Sequence, residues 1–119
     1  ALRVLTQTSP LTPAVRGDAL QLPVRDRAVG CVYATHIYGL LEADDRRALV
    51  DEARRVAPEL VVLDAGRPEG VPPEHWQDRT LPDGSRWRIH RRHFAGADLA
   101  AELGGEVVYA GPFYVLVIA

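Results

Sequence analysis

The sequence contains no lysine, no asparagine and no methionine, and its only cysteine is Cys31. A single cysteine excludes an internal disulfide and any metal site built on several thiolates. All fourteen basic residues are therefore arginine, a bias that reads as codon pressure and carries little mechanistic weight. The formal net charge of −2 removes a general attraction to nucleic acid or to an anionic membrane surface. No apolar run approaches the ~20 residues of a membrane span, and nothing reads as a signal peptide. None of the residues ahead of Asp18 forms a glycine-rich phosphate loop. What remains is a chain of 119 residues, 47% hydrophobic and 25% charged, which fits one ordinary globular domain. A soluble, cytoplasmic domain is expected.

Leu2–Leu5 reads as a short strand or helix end, broken by the prolines that follow. Ala14–Arg16 is expected to form a short strand running into Gly17, with Asp18 at its carboxyl end, the edge where open α/β sheets bind ligands. Ala28–Ala34 is an almost continuous apolar run, the pattern of a strand covered on both faces, with Cys31 in the core. The period then changes. Leu49, Ala53 and Val56 recur on one helical face between Asp44 and Ala57. Asp44 or Asp45 can cap this helix, Asp51 precedes Arg55 by four residues, and Pro58 stops it.

Leu60–Leu63 follows as a buried strand ending at Asp64-Ala65-Gly66, so strand, helix and strand form a right-handed parallel unit. Pro82-Asp83-Gly84-Ser85 separates Trp76–Leu81 from Arg86–Arg91 and predicts a hairpin, with Trp76 and Trp87 packing on each other or on the sheet. A helix at 97–103 ends at Gly104-Gly105, a left-handed C-cap, but Ala95 and Gly96 offer no side-chain N-cap, so it should fray. Glu106–Ala110 and Phe113–Ile118 form an antiparallel pair around Gly111-Pro112.

In this order the pieces resemble the C-terminal part of class I, Rossmann-like, S-adenosylmethionine-dependent methyltransferases. The matching features are Gly17-Asp18-Ala19 with Leu22-Pro23, the strand ending Val32-Tyr33-Ala34, the helix ending Glu52–Val56, the strand Leu60–Asp64, and the terminal strand pair after a short helix. The fold class implied is α/β, a truncated methyltransferase sheet of mostly parallel strands with a C-terminal antiparallel pair and helices packed on it. Residues 1–119 would be one such domain, without the family's N-terminal glycine-rich cofactor loop. The resemblance implies that Asp18 accepts a hydrogen bond from the adenine amino group and that the Ala19 N–H faces a ring nitrogen. It places Tyr33, Ala34 and Thr35 beside the methionine and ribose, and His36 and Tyr38 on the substrate side, with His36 the candidate general base. The family's acidic residue for the ribose hydroxyls has no counterpart here, so the lone chain should hold S-adenosylmethionine weakly.

Each residue also has a plainer reading. Asp18 can cap its own turn, and His36 can be a polar residue at a strand end. The cluster Arg88, His90, Arg91, Arg92 and His93 can be a solvated strand face, since no carboxylate or thiol lies beside the histidines in sequence to complete a metal set. Three functions stay open: a methyltransferase with an unknown small-molecule acceptor; a non-catalytic remnant that dimerises through an unpaired sheet edge; and an anion-binding protein using the arginine-histidine hairpin.

Overall fold

The computed structural model describes residues 13–119, and the element expected at Leu2–Leu5 lies outside them. Strand β1 (Cys31–Thr35) leads through a 3-10 turn (Tyr38–Leu40) into helix α1 (Ala43–Val56) and strand β2 (Glu59–Ala65). The hairpin β3 (Glu74–Thr80) and β4 (Arg86–Arg92) comes next, then helix α2 (Gly96–Leu103) and strands β5 (Glu106–Ala110) and β6 (Tyr114–Ile118). The main sheet runs β1-β2-β6-β5 and the hairpin forms a separate two-stranded sheet.

The β1-α1-β2 unit is parallel, with Cys31 opposite Glu59 and Thr35 opposite Leu63. The sheet is not mostly parallel, however: β6 is antiparallel to both β2 and β5. The cause is the tight Gly111-Pro112 connection. After α2 the chain enters β5 in the direction of β2, and the short turn then folds β6 back into the gap between them.

Both helices cover the same face of this sheet. Leu60, Val62, Val115 and Val117 point into it and are 2% exposed or less, packed with Leu49, Val50, Ala53, Leu99 and Leu103. Helix α1 has Asp44 and Asp45 in its first turn and Arg54 and Arg55 in its last, both favourable to the helix dipole. Its N-cap is Glu42, which makes no side-chain cap bond. The expected Asp51–Arg55 pair gives way to a stronger one: Arg55 bonds Glu52 at 2.6 Å and Asp26 at 2.6 Å. Helix α2 has Ala95 as its N-cap, with no side-chain cap bond, and ends on Gly104 at φ 66°, the left-handed C-cap read from the sequence.

The other face has no such cover among the described residues. Strand alternation turns Cys31, Tyr33 and Thr35 outward, with Val61 and Leu63 beside them and then Leu116 and Ile118. Cys31 is thus exposed rather than in the core, and Tyr33 is 61% exposed. Two further expectations change. Ala14–Arg16 carries no strand, and Ala28–Gly30 is loop, tied to the end of α1 by Arg27 and Val29 N–H groups donating to Arg55 and Val56 carbonyls. Trp76 and Trp87 do not pair: Trp76 sits opposite His90 and Trp87 opposite Arg79, on opposite faces of the hairpin. No helix among the described residues is long and apolar enough to cross a membrane.

Candidate functional site at the carboxyl edge of the sheet

Because β1 and β2 are parallel, their carboxyl ends lie side by side. His36 stands just beyond β1 with φ 54°, a left-handed conformation costly for a residue with a Cβ. Its N–H donates to the Leu63 carbonyl at 2.9 Å, which holds the bend. The exposed ring meets Tyr114 edge-on at 5.4 Å. Two residues later Tyr38 turns back into the core.

Asp64 anchors the floor of this edge. It is fully buried, and its carboxylate accepts N–H groups from Gly39 at 2.9 Å and from Ala65 at 2.7 Å. Hydrogen bonds to a buried charge contribute ~1.5–3 kcal/mol, enough to fix the 3-10 turn against β2. Position 39 needs glycine, since a Cβ there would lie 2.6 Å from the Arg92 carbonyl and 2.9 Å from Asp64 Oδ1. The guanidinium of Arg91 stands 4.0 Å from Asp64.

The end of the hairpin closes over β2. Phe94 N–H donates to the Ala65 carbonyl and Arg67 N–H to the Phe94 carbonyl, which lays His93 across Gly66. His93 Nδ1 lies 3.1 Å from the Gly66 carbonyl oxygen. A carbonyl only accepts, so the proton sits on Nδ1. The ring stacks on His75 at 5.3 Å with planes 11° apart. Burial pushes the His93 pKa below its ordinary 6.5, opposed by the Gly66 bond, with the charges of Arg91 and His75 lowering it further and Asp64 opposing them.

Behind the edge lies an ionic network that pairs buried cations with carboxylates open to solvent. Arg46 is 5% exposed and bonds Glu102 at 3.0 Å, the Tyr38 hydroxyl donates to Glu102 at 3.0 Å, and Arg92 approaches both Glu102 and Glu74. Burial and the Glu102 charge push the Tyr38 hydroxyl well above its usual range. His90 is buried too, with Nε2 2.8 Å from Glu74. The arginine-histidine cluster is therefore solvated only in part: Arg88 is exposed, Arg91, Arg92 and His93 are half-buried, and His90 is buried. Its groups are partnered by carboxylates distant in sequence, by Trp76 under Arg88 at 5.7 Å, and by Phe94 under Arg92 at 5.2 Å.

The structure distributes the sequence candidates unevenly. Thr35 and His36 are exposed at the edge, and Tyr33 is exposed on the open face of the same strand. Ala34 points the other way into the core, as alternation requires, and Tyr38 is 2% exposed. Asp18 caps its own turn: Oδ1 accepts the Leu20 N–H at 2.9 Å. The turn is fastened to α1 where Leu22 N–H donates to Glu52 at 2.7 Å and Arg55 donates to the Leu22 carbonyl at 3.2 Å. Sequence reasoning missed Asp64, Arg46, Glu102 and the placement of His93. One signal existed for Arg46, which lies three residues before Leu49 on the apolar face of α1. Among the described residues no group of three or more metal-ligating side chains stands together.

The chain aligns with solved structures over most of its length. One, a DhpI-SAM-HEP complex, is 24% identical with a TM-score of 0.69, covering 87% of this chain and 55% of that one. The chain shares its fold with S-adenosylmethionine-dependent methyltransferases of known structure. The glycopeptide N-methyltransferase MtfA, complexed with S-adenosyl-L-methionine, is 19% identical with a TM-score of 0.61 and coverage of 98% and 71%. A SAM-dependent methyltransferase from Methanosarcina mazei is 15% identical with a TM-score of 0.70 and coverage of 99% and 75%. The chain thus spans little more than half the length of the DhpI structure. No family model matches the sequence, and no curated protein matches it.

Proposed function

We propose that this chain forms part of a class I S-adenosylmethionine-dependent methyltransferase and supplies the adenine-side turn and the acceptor side of its pocket. The observation that supports the reading is the sheet order β1-β2-β6-β5, with one antiparallel strand folded back inside it, in a chain that aligns with methyltransferases along almost its whole length. A cofactor reaching from the carboxyl edge to the Asp18 turn would fit the residues of both. Asp18 is exposed and uses Oδ1 for its turn, leaving Oδ2 for an adenine amino group, with Ala19 next to it. The Thr35 hydroxyl and the exposed Tyr33 border the methionine and ribose, while buried Ala34 supports them from the core. His36 lies on the acceptor side, and Tyr38 serves as a rigid support beneath it.

When bound, S-adenosylmethionine supplies a methyl group already activated by its sulfonium. The protein's share is chiefly alignment and exclusion of water. Asp64 and Gly39 contribute by locking the end of β2 against the turn that follows His36. Isothermal titration of the chain with S-adenosylmethionine tests the reading, with binding reduced at least tenfold by Asp18→Ala as the expected result. No heat at millimolar ligand in a folded sample would remove the enzyme claim for this chain.

One observation favours a second reading, in which the chain is non-catalytic and associates with another copy. The outer edge of β1 pairs with no strand among the described residues, and the apolar face beside it is uncovered. Light scattering at high micromolar concentration should then give a dimer. A clean monomer refutes it.

A further inference from the structure

His93 is a group at the carboxyl edge that the cofactor contacts do not use. We propose that His93 Nε2 is the proton acceptor of the methyl-transfer step and that the acceptor substrate is a hydroxyl compound. The inference rests on the methyltransferase reading given above and adds to it the base and the chemical class of the acceptor.

Three observations carry it. First, the Gly66 carbonyl fixes the proton on Nδ1, so Nε2 keeps its lone pair. Among the described residues Nε2 has no hydrogen-bond partner, and the ring is only partly buried. Secondly, the ring is held on both sides. The His93 N–H donates to the Pro73 carbonyl at 2.8 Å, and His75 stacks on the imidazole. His75 is fixed in turn, because Arg79 donates to Gln77 Oε1 at 3.0 Å and thereby turns the amide nitrogen toward His75 Nε2 at 2.7 Å. A base held this rigidly is oriented before the substrate arrives. Thirdly, the fixed charges around the ring are Arg91 and Asp64, and Asp64 is already engaged by two backbone N–H groups. Arg91 discourages protonation of His93 and repels an ammonium acceptor, while favouring an oxygen that becomes negative. Desolvation acts in the same direction on the ring, keeping it neutral near pH 7.

The step balances as follows. The acceptor O–H bond breaks and its proton passes to Nε2. An oxygen lone pair forms the new O–CH3 bond as the carbon–sulfur bond breaks, its electron pair returning to sulfur. The positive charge that left the sulfonium then resides on the His93 imidazolium, which releases its proton to solvent. General-base transfer of this kind contributes ~10²–10⁴-fold in rate.

The test uses the full chain and His93→Asn, whose amide can still donate to the Gly66 carbonyl but is not basic. Long-range nitrogen–proton correlation spectra of the labelled chain read the tautomer directly. The expected result is an Nδ1–H, neutral His93 at pH 7, and an Nε2–H tautomer would overturn the proposal. Acylation by diethylpyrocarbonate at pH 6, followed by mass spectrometry, reads lone-pair access. His93 should react at least threefold faster than His75 and His90, and slower reaction overturns the proposal. Methyl transfer to phenol and simple alcohols is then compared. His93→Asn should lower kcat at least a hundredfold with the KM for S-adenosylmethionine unchanged, and a loss under threefold overturns the assignment. Fast acylation together with no cofactor binding would instead sink the methyltransferase reading, and the assigned role with it.

Discussion

The two faces of the main sheet are built from nearly the same residue types and have opposite fates. On the helix-covered face, Leu60, Val62, Val115 and Val117 are at most 2% exposed. On the other, Tyr33 and Ile118 stay exposed, while Val61, Leu63 and Leu116 are shielded in part. A strand with a wet face normally alternates apolar and polar residues, whereas a strand covered twice is apolar throughout. Strands β2 and β6 have the second pattern. The open face is therefore a surface suited to burial, and the difference between the faces lies in what covers them rather than in the strands.

The sharpest way to break that comparison is to cut into the covered side. Phe94 is fully buried between Tyr38 at 5.6 Å and the guanidiniums of Arg46 and Arg92 at 5.9 and 5.2 Å. Phe94→Ala should cost about 3–5 kcal/mol, through lost burial and the cavity left behind. Leu63→Ala, on the open face, should cost about 1 kcal/mol, since little surface leaves water there. Urea midpoints at unchanged slope measure both. Equal losses would mean that the open face is already buried in solution.

A smaller effect is expected from charging the open face. Tyr33, Tyr114 and Ile118 are exposed beside Val61 and Leu116, forming one contiguous apolar area. Leu116→Lys should weaken self-association at least tenfold, about 1.4 kcal/mol, with little change in the urea midpoint. Sedimentation equilibrium of the two chains decides the matter. If the variant associates as tightly as the parent, association proceeds through the β1 edge alone.

The comparison also explains which parts of the molecule were legible in the sequence. Helix α1, the hairpin and the terminal strand pair were readable because period and turn chemistry are local: Leu49, Ala53 and Val56 mark one face, and Gly104 marks a stop. Which face of the sheet stays open was not readable, because Leu60-Val61-Val62-Leu63 contains no polar residue to mark a side. For that reason Cys31 read as buried, and Ala14–Arg16 read as a strand although no described partner pairs with it. The resemblance located the carboxyl edge through Thr35 and His36. It could not reveal that Tyr38 serves the core, or that Asp64, Arg46 and Glu102 brace the edge, since those contacts join residues 25 to 64 positions apart.

The smallest expected effect concerns pH, and it separates the braced edge from the open face. Desolvation lowers the His93 pKa in the folded chain below the 6.5 of a free side chain. The unfolded chain therefore binds more protons than the folded one between the two values, and stability rises with pH across that window. The contribution is fully present above pH 6.5 and is lost as pH falls through the folded value. Urea midpoints of the parent chain should decline as pH drops from 7 toward 5, and His93→Asn should remove part of that decline. Leu116→Lys should leave the decline intact, because a lysine far above its titration range exchanges no protons there. A parent chain whose midpoint rises on acidification would reverse the sign, and would place His93 in a site that prefers the imidazolium.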